Sequence, residues 1–322
     1  MLDILAHVEH RFVSDLEFKV GSMNLIEQHQ SSKICQNLKN TIHQSGGSVA
    51  NTIAGFASLG GDGGFIGIVG DDEFGRHFIH DLETQQIKWL GRILPQTNDA
   101  HKNNDTTQTG HCLVLVTPDS ERTMCTSLGC AAKLSPDDID EDIIANAEMI
   151  YLEGYLFDSP DNKEAFKKAV YLAHKHQCKT ALSFSDSFCV ERHREDFIHL
   201  IDQGVDIVFA NAHEGAMMAQ SGHHQDIIKY MEKLAPITCL TLHDQGSVIL
   251  SAQKQYQIKP YSFGKAIDTT GAGDQYAAGF LYGLKHGLDL EKSGILASKM
   301  GAKVVVQTGA RLDQKQIKSI KI

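Results

Sequence analysis

The chain has 322 residues, 42% of them hydrophobic and 22% charged, the balance of a globular protein long enough to bury a large core in one or two domains. A formal net charge of −10, a pI near 5.9 and the lack of any basic run interleaved with aromatics argue against nucleic acid or an anionic membrane as the main partner. Seven scattered cysteines without CxxC or Cys/His spacing read as reduced thiols, and with no basic-then-apolar leader and no 18-residue apolar run the cytoplasm is the expected compartment.

In chain order, residues 4–13 read as extended, 48–59 as an Ala-rich helix and FIGIVG (65–70) as a buried strand, followed by extended segments at 88–94 and 111–118. The last of these runs into the polar turn Asp119-Ser120-Glu121. Short strands without helices between them predict a small antiparallel sheet, separate from the main one. From Ile143 onward the grammar changes. MIYLEG (149–154), a helix over 162–176, TALSFS (180–185), a helix over 191–202, DIVFA (206–210) and ITCLTL (237–242) alternate. Strands with no polar alternation are buried on both faces, which predicts a parallel sheet flanked by helices, with ligands gathering at the strands' carboxyl ends. The expected organisation is a doubly wound α/β core from 42–87 and 131–322, with 1–41 and 88–130 forming a mainly β lid and acceptor-side segments. The seventeen histidines are assigned to no metal; His174, His176, His223 and His224 lie among polar residues and are expected in solvent.

The run Asp268-Thr269-Thr270-Gly271-Ala272-Gly273-Asp274 carries the chemistry. Behind it Ala277, Phe280, Leu281, Leu284 and Leu288 recur at the spacing of one apolar helical face, which puts Gly271 to Gly273 in the first turn of a helix. Backbone N–H groups there lack intrahelical acceptors and the peptide dipoles add about half a positive charge, so an anion is stabilised; Gly and Ala keep those donors uncovered. Asp274, just inside this positive end, can take a proton from an attacking hydroxyl, and a positioned general base contributes about 10²–10⁴-fold. A lone GxGD reads as a helix start with a dipole-favoured Asp; the seven-residue string reads as a phosphoryl-transfer site.

Four motifs stand in order: Gly46-Gly47-Ser48-Val49-Ala50-Asn51, GFIGIVGDDEFG (64–75), Asn211-Ala212-His213-Glu214 and the DTTGAGD string. Together they resemble the ribokinase-like, or PfkB, carbohydrate kinase family, and within it the adenosine-kinase-like branch, over nearly the whole chain. The resemblance implies a mostly parallel sheet with helices on both faces and a small β-sheet lid, ATP and Mg²⁺ as cofactors, and transfer to a primary hydroxyl. It makes Asp274 the base and Gly271, Ala272 and Gly273 the anion hole. Gly46, Gly47 and Asn51 would bind hydroxyls of a sugar or ribose, the glycines by close main-chain approach and the amide by donating and accepting, and Asp3 would accept two hydroxyls. Asn211 and Glu214, at i, i+3 after DIVFA, suit hydrated Mg²⁺, Asn211 through water, or equally a helix N-cap with its N3 partner; the resemblance favours metal and phosphate. Thr241 and Gly246 match the nucleotide-binding turn, and Asp268 and Thr270 offer oxygens to a monovalent cation such as K⁺.

Three departures accompany the resemblance. Relatives carry a strand ahead of the aspartate that Asp3 resembles, so an in-frame strand-like segment upstream of Met1 is expected. His243 stands where many relatives have Gly, which alters ATP affinity rather than abolishing it. Ala212-His213 is unusual inside NxxE. The expected acceptor is a nucleoside, adenosine above all, from the extended match GGSVANTI and from YLEGYLF and LSFSDSF, which supply Tyr155 and Phe188 as walls for a purine, although aromatics at such places are more often core. A sugar kinase acting on ribose, fructose or a relative is the alternative. A nucleoside-binding regulator without catalysis is disfavoured by Asp274, and a dinucleotide-dependent oxidoreductase by Gly64, Gly67 and Gly70 lying within a strand. Lid edges offer a route to an oligomer without demanding one.

Overall fold

The computed structural model describes residues 1–96, 107–119, 121–252 and 254–320. They divide into two compact units, Met1–Ala50 with Gly64–Leu134, and Asn51–Gly63 with Ser135–Ile322.

The first unit carries the strands β1 (Leu2–His7), β2 (Met23–Leu25), β3 (Ile42–Ser45), β4 (Gly64–Phe65), β5 (Ile68–Gly70), β6 (Lys88–Trp89), β7 (Arg92–Leu94), β8 (His111–Val116) and β9 (Arg122–Ser127). Five of them form one sheet in the order β2-β9-β8-β1-β3. β8 is buried at every position, as an uninterrupted HCLVLV run requires. Leu2, Ile4, Leu113, Leu115 and Cys125 pack from this sheet onto Val13 of helix α1 (His10–Ser14) and Ile34 of α2 (Gln28–Cys35). Helix α3 (Ser48–Ser58) leaves this unit, and α4 (Glu73–Thr84) lies within it.

Several expectations change here. Residues 4–13 are not one extended run, because β1 ends at His7 and α1 begins at His10, turning Val13 back onto the core. The sheet is mixed rather than antiparallel: β1 pairs parallel with β8 and β2 with β9, while β8–β9 and β1–β3 are antiparallel. The segment 65–70 is broken at Ile66-Gly67, and its halves β4 and β5 pair in parallel with β6 and β7. Phe65 stacks on Trp89 at 6.0 Å and meets Phe78 of α4 edge-on. Residues 42–50 and 64–87 therefore group with the first unit instead of the core expected over 42–87 and 131–322.

In the second unit β10 (Met149–Glu153), β11 (Lys179–Ser183), β12 (Ile207–Asn211), β13 (Ile237–Thr241), β14 (Ser247–Ser251) and β15 (Lys254–Ile258) form a six-stranded sheet in sequence order. The first four are parallel and the last two antiparallel. Helix α5 (Glu141–Ala145) precedes it; α6 (Pro160–Lys175), α7 (Ser187–Asp202), α8 (Ala212–Ala219) and α9 (His224–Leu234) fill the crossovers; α10 (Ala272–Lys285), α11 (Leu290–Val304) and α12 (Gln314–Lys318) follow. Ala277, Phe280 and Leu281 of α10 pack with Ala181, Ile207, Phe209 and Ile249 on one face of the sheet, which is the apolar stripe the periodicity predicts. On the other face, Leu240 lies against Gly215 of α8, beside Ile227 and Met231 of α9. Helices thus cover both sides. No helix among the described residues is long and apolar enough to cross a membrane.

Candidate active site

Gly271 caps α10 in the left-handed conformation, φ 78° and ψ 0°, and a Cβ there would lie 2.6 Å from Ala310. Only glycine fits both constraints. The Ala272 N–H donates to Thr269 O and the Gln275 N–H returns to Gly271 O, closing the turn. Gly273 is exposed, with open space where its Cβ would be. One glycine builds the turn and the other leaves its amides approachable. Buried Asp268 accepts from the N–H groups of Thr270 (2.9 Å) and Gly309 (2.8 Å), tying the segment after α11 to the turn.

The half-exposed Asp274 carboxylate accepts at Oδ2 from Asn51 Nδ2 at 3.0 Å. Asn51 is itself held: Arg311 Nε donates to its Oδ1 at 3.0 Å, and Gln275 Nε2 to its main-chain oxygen at 3.1 Å. An amide that accepts on one side and donates on the other fixes the direction of the acid. Asn51, expected on the acceptor, is thus also the positioner of Asp274. Arg311 and Gln275 escape the sequence reading. Arg311 is 260 positions from its partner, so no spacing marks it; the signal for Gln275 is a wholly buried amide on the apolar side of α10.

The charge of this acid reaches two tyrosines. Burial first, then the charge of Asp274, pushes the Tyr151 hydroxyl well above its ordinary range, against hydrogen bonds to Ser183 and Thr52. Tyr155 is raised by burial, then by Asp186 and Asp274, and its hydroxyl donates to Ser185 O at 3.2 Å. Phe188 is 48% exposed.

At the end of β12, Asn211 and Glu214 realise the capping box. Asn211 Oδ1 accepts the His213 and Glu214 N–H groups at 2.9 Å each. Glu214 Oε2 accepts the Asn211 N–H at 2.9 Å and Oε1 accepts Asn211 Nδ2 at 2.6 Å. Glu214 is 3% exposed, and burial pushes its carboxyl up to about 7, with Asp186 adding to the rise and the Asn211 N–H opposing it. Glu214 and Asp186 are hard oxygen donors of the kind Mg²⁺ takes through water; no group of three or more potential ligands occurs among the described residues. Thr241 stands opposite Asn211 in the β12–β13 register. Gly246, at φ 90°, ends the turn after β13, and a Cβ there would overlap the Ile258 carbonyl.

In the first unit, Asp3 on β1 and the Gly46-Gly47 pair after β3 form one group. The Asp3 carboxylate occupies the place a Gly46 Cβ would take, the Gly46 N–H donates to Met1 O at 3.0 Å, and Gly47 turns the chain into α3 at φ 93°.

The family model described as pfkB family carbohydrate kinase matches residues 18–317. The chain belongs to this family. It is a kinase, a phosphotransferase with an alcohol group as acceptor, in a family that uses ATP. The crystal structure of adenosine kinase from Sinorhizobium meliloti is similar with a TM-score of 0.89 and 34% identity, covering 99% of this chain and 96% of that one; the fold is ribokinase-like. Adenosine kinase of Saccharomyces cerevisiae is 27% identical over 85% of this chain and 81% of its own. The 5-dehydro-2-deoxygluconokinase of Bacillus subtilis is 27% identical over 84% of this chain and 85% of its own.

Proposed function

We propose that this pfkB-family kinase transfers the γ-phosphoryl group of ATP to the primary hydroxyl of a nucleoside, adenosine above all, giving AMP. The observation that carries the reading is the Asn51–Asp274 hydrogen bond at the left-handed start of α10. A carboxylate held in one orientation beside the exposed Gly273 meets two needs of the transfer, a base for the alcohol and donors for the moving phosphoryl oxygens. In this reading Gly271, Ala272 and Gly273 hold those oxygens, while Thr241, Gly246 and Thr270 border the nucleotide. Asp3, Gly46, Gly47 and Asn51 take the acceptor's hydroxyls. Glu214 and, through water, Asn211 would hold Mg²⁺, which supplies charge neutralisation at the phosphates when bound. Each Asp268 carboxylate oxygen accepts a backbone N–H group; a carboxylate oxygen has a second lone pair, which with the oxygens of Thr270 could serve K⁺ at this turn.

A nucleoside is favoured over a sugar by Tyr155, whose position near Asp274 comes with its hydroxyl turned away onto Ser185, and by the exposed Phe188; aromatic faces of this kind suit a purine. The resemblance to the S. meliloti adenosine kinase supports it, and the resemblance to 5-dehydro-2-deoxygluconokinase supports the sugar alternative. Coupled ADP release across adenosine, inosine, guanosine, ribose, fructose and 5-dehydro-2-deoxygluconate tests the choice. Adenosine is expected to give the highest kcat/KM; a sugar leading the panel ends the nucleoside reading. Asp274→Asn is expected to lower kcat by about 10²-fold or more while the protein stays folded, and unchanged turnover would remove the base.

A further inference from the structure

His213, inside the Asn211–Glu214 motif, and His243, in the turn after β13, touch. Their rings meet edge to face, with centroids 5.5 Å apart and planes at 64°. Both are exposed, and among the described residues neither imidazole makes a hydrogen bond to the protein. His243 holds this position with a left-handed backbone, φ 53°, a conformation that costs any residue but glycine free energy. Gly would serve the turn better if the turn were all that mattered.

Much of the main chain around the pair is already bonded. Asn211 Oδ1 takes the His213 and Glu214 N–H groups at the start of α8. Within the turn, the Leu242 N–H donates to Gly246 O, the Gln245 N–H to Leu242 O and the Gly246 N–H to His243 O. The pair stands at the same end of the sheet as the catalytic helix start: Ser247, next after Gly246, accepts from the Tyr276 hydroxyl at 2.9 Å, and Tyr276 lies two residues beyond Asp274. With those amides bonded and carboxylates at Glu214 and Asp244 close by, the ring N–H groups join the His243 and Asp244 amides as donors for a phosphate chain arriving here.

We propose that His213 and His243 form a two-imidazole clamp on the polyphosphate of the nucleotide donor, adding side-chain N–H groups to the few main-chain donors left in the turn. The clamp rests on the function proposed above, and its test separates the two. Calorimetric titration of the wild type, His243→Gly and His213→Ala with ATP and with inorganic tripolyphosphate reads the contact directly. Each variant is expected to weaken both ligands by the same factor, about three- to tenfold, the loss of one or two hydrogen bonds; in steady state the KM for ATP rises by that factor while the acceptor KM does not. His243→Gly places glycine where the backbone is already left-handed, so it folds.

Unchanged or tighter binding in both variants overturns the clamp. Weakened ATP with unchanged tripolyphosphate also overturns it, because the rings would then touch the base. If the wild type binds tripolyphosphate and the variants bind it more weakly, yet no nucleoside is phosphorylated, the clamp stands and the nucleoside reading falls. No binding of either ligand by the wild type removes both.

Discussion

At the scale of single residues, Glu214 is a carboxyl pulled two ways. Burial and the nearby Asp186 favour its neutral form, the Asn211 N–H favours the charged one, and the outcome is a value pushed up to about 7. Because the folded value lies above the ordinary one, folding favours the proton. That stabilising contribution is fully present below about pH 4.5 and is lost as pH rises through about 7. Mg²⁺ held by Glu214, as proposed above, would act in the opposite sense, since it needs the carboxylate and must displace the proton at low pH. The concentration of Mg²⁺ giving half-maximal activity is therefore expected to be flat above about pH 7.5 and to rise roughly tenfold per unit below about pH 6.5. Glu214→Gln should erase the slope. Activity titrations with Mg²⁺ at several pH values check this, and a slope that survives the substitution assigns the metal elsewhere.

At the scale of elements, the start of α10 separates two glycines that look alike in the sequence. Gly271→Ala meets both a left-handed φ of 78° and a 2.6 Å approach to Ala310, which together predict a loss of about 2–4 kcal/mol. Gly273→Ala meets nothing within 4 Å and exchanges a poor helix former for the best, so stability should hold or rise by about 0.5–1 kcal/mol. Its kcat should nevertheless fall at least tenfold, because the new methyl would intrude on the phosphoryl oxygens. Denaturant midpoints and kcat for the two variants decide it; a stable and fully active Gly273→Ala variant would mean that nothing approaches those amides. The helix itself is legible in the sequence because its apolar period is long and regular. β4 and β5 are not: FIGIVG looks like one strand until the separate partners Lys88–Trp89 and Arg92–Leu94 break it at Gly67. SVILS and KQYQI differ too much in polarity to be recognised as the β14–β15 hairpin before their pairing is seen.

At the scale of the whole molecule, what can be read in advance is what is local. DTTGAGD announces a helix start, an anion site and an acid within seven residues, whereas the Arg311–Asn51–Asp274 chain joins positions 51, 274 and 311 and exists only once the second unit has folded. The cysteines show the same contrast, since their reduced state follows from composition while their protection follows from packing. All seven are free; Cys35 is half-buried, and the other six are buried and spread over both units. Burial raises every one of these thiols, Cys125 and Cys130 to about 11. The thiolate is the reactive form, so at about pH 8 native protein should react with Ellman's reagent slowly, Cys35 leading, while denatured protein releases seven equivalents at once. A reductant should leave the melting temperature unmoved, as there is no disulfide for it to cut. Several fast thiols in the native state would mean that one of the two cores opens far more readily than its packing implies, and ligand-dependent slowing of particular cysteines would then identify the unit that opens.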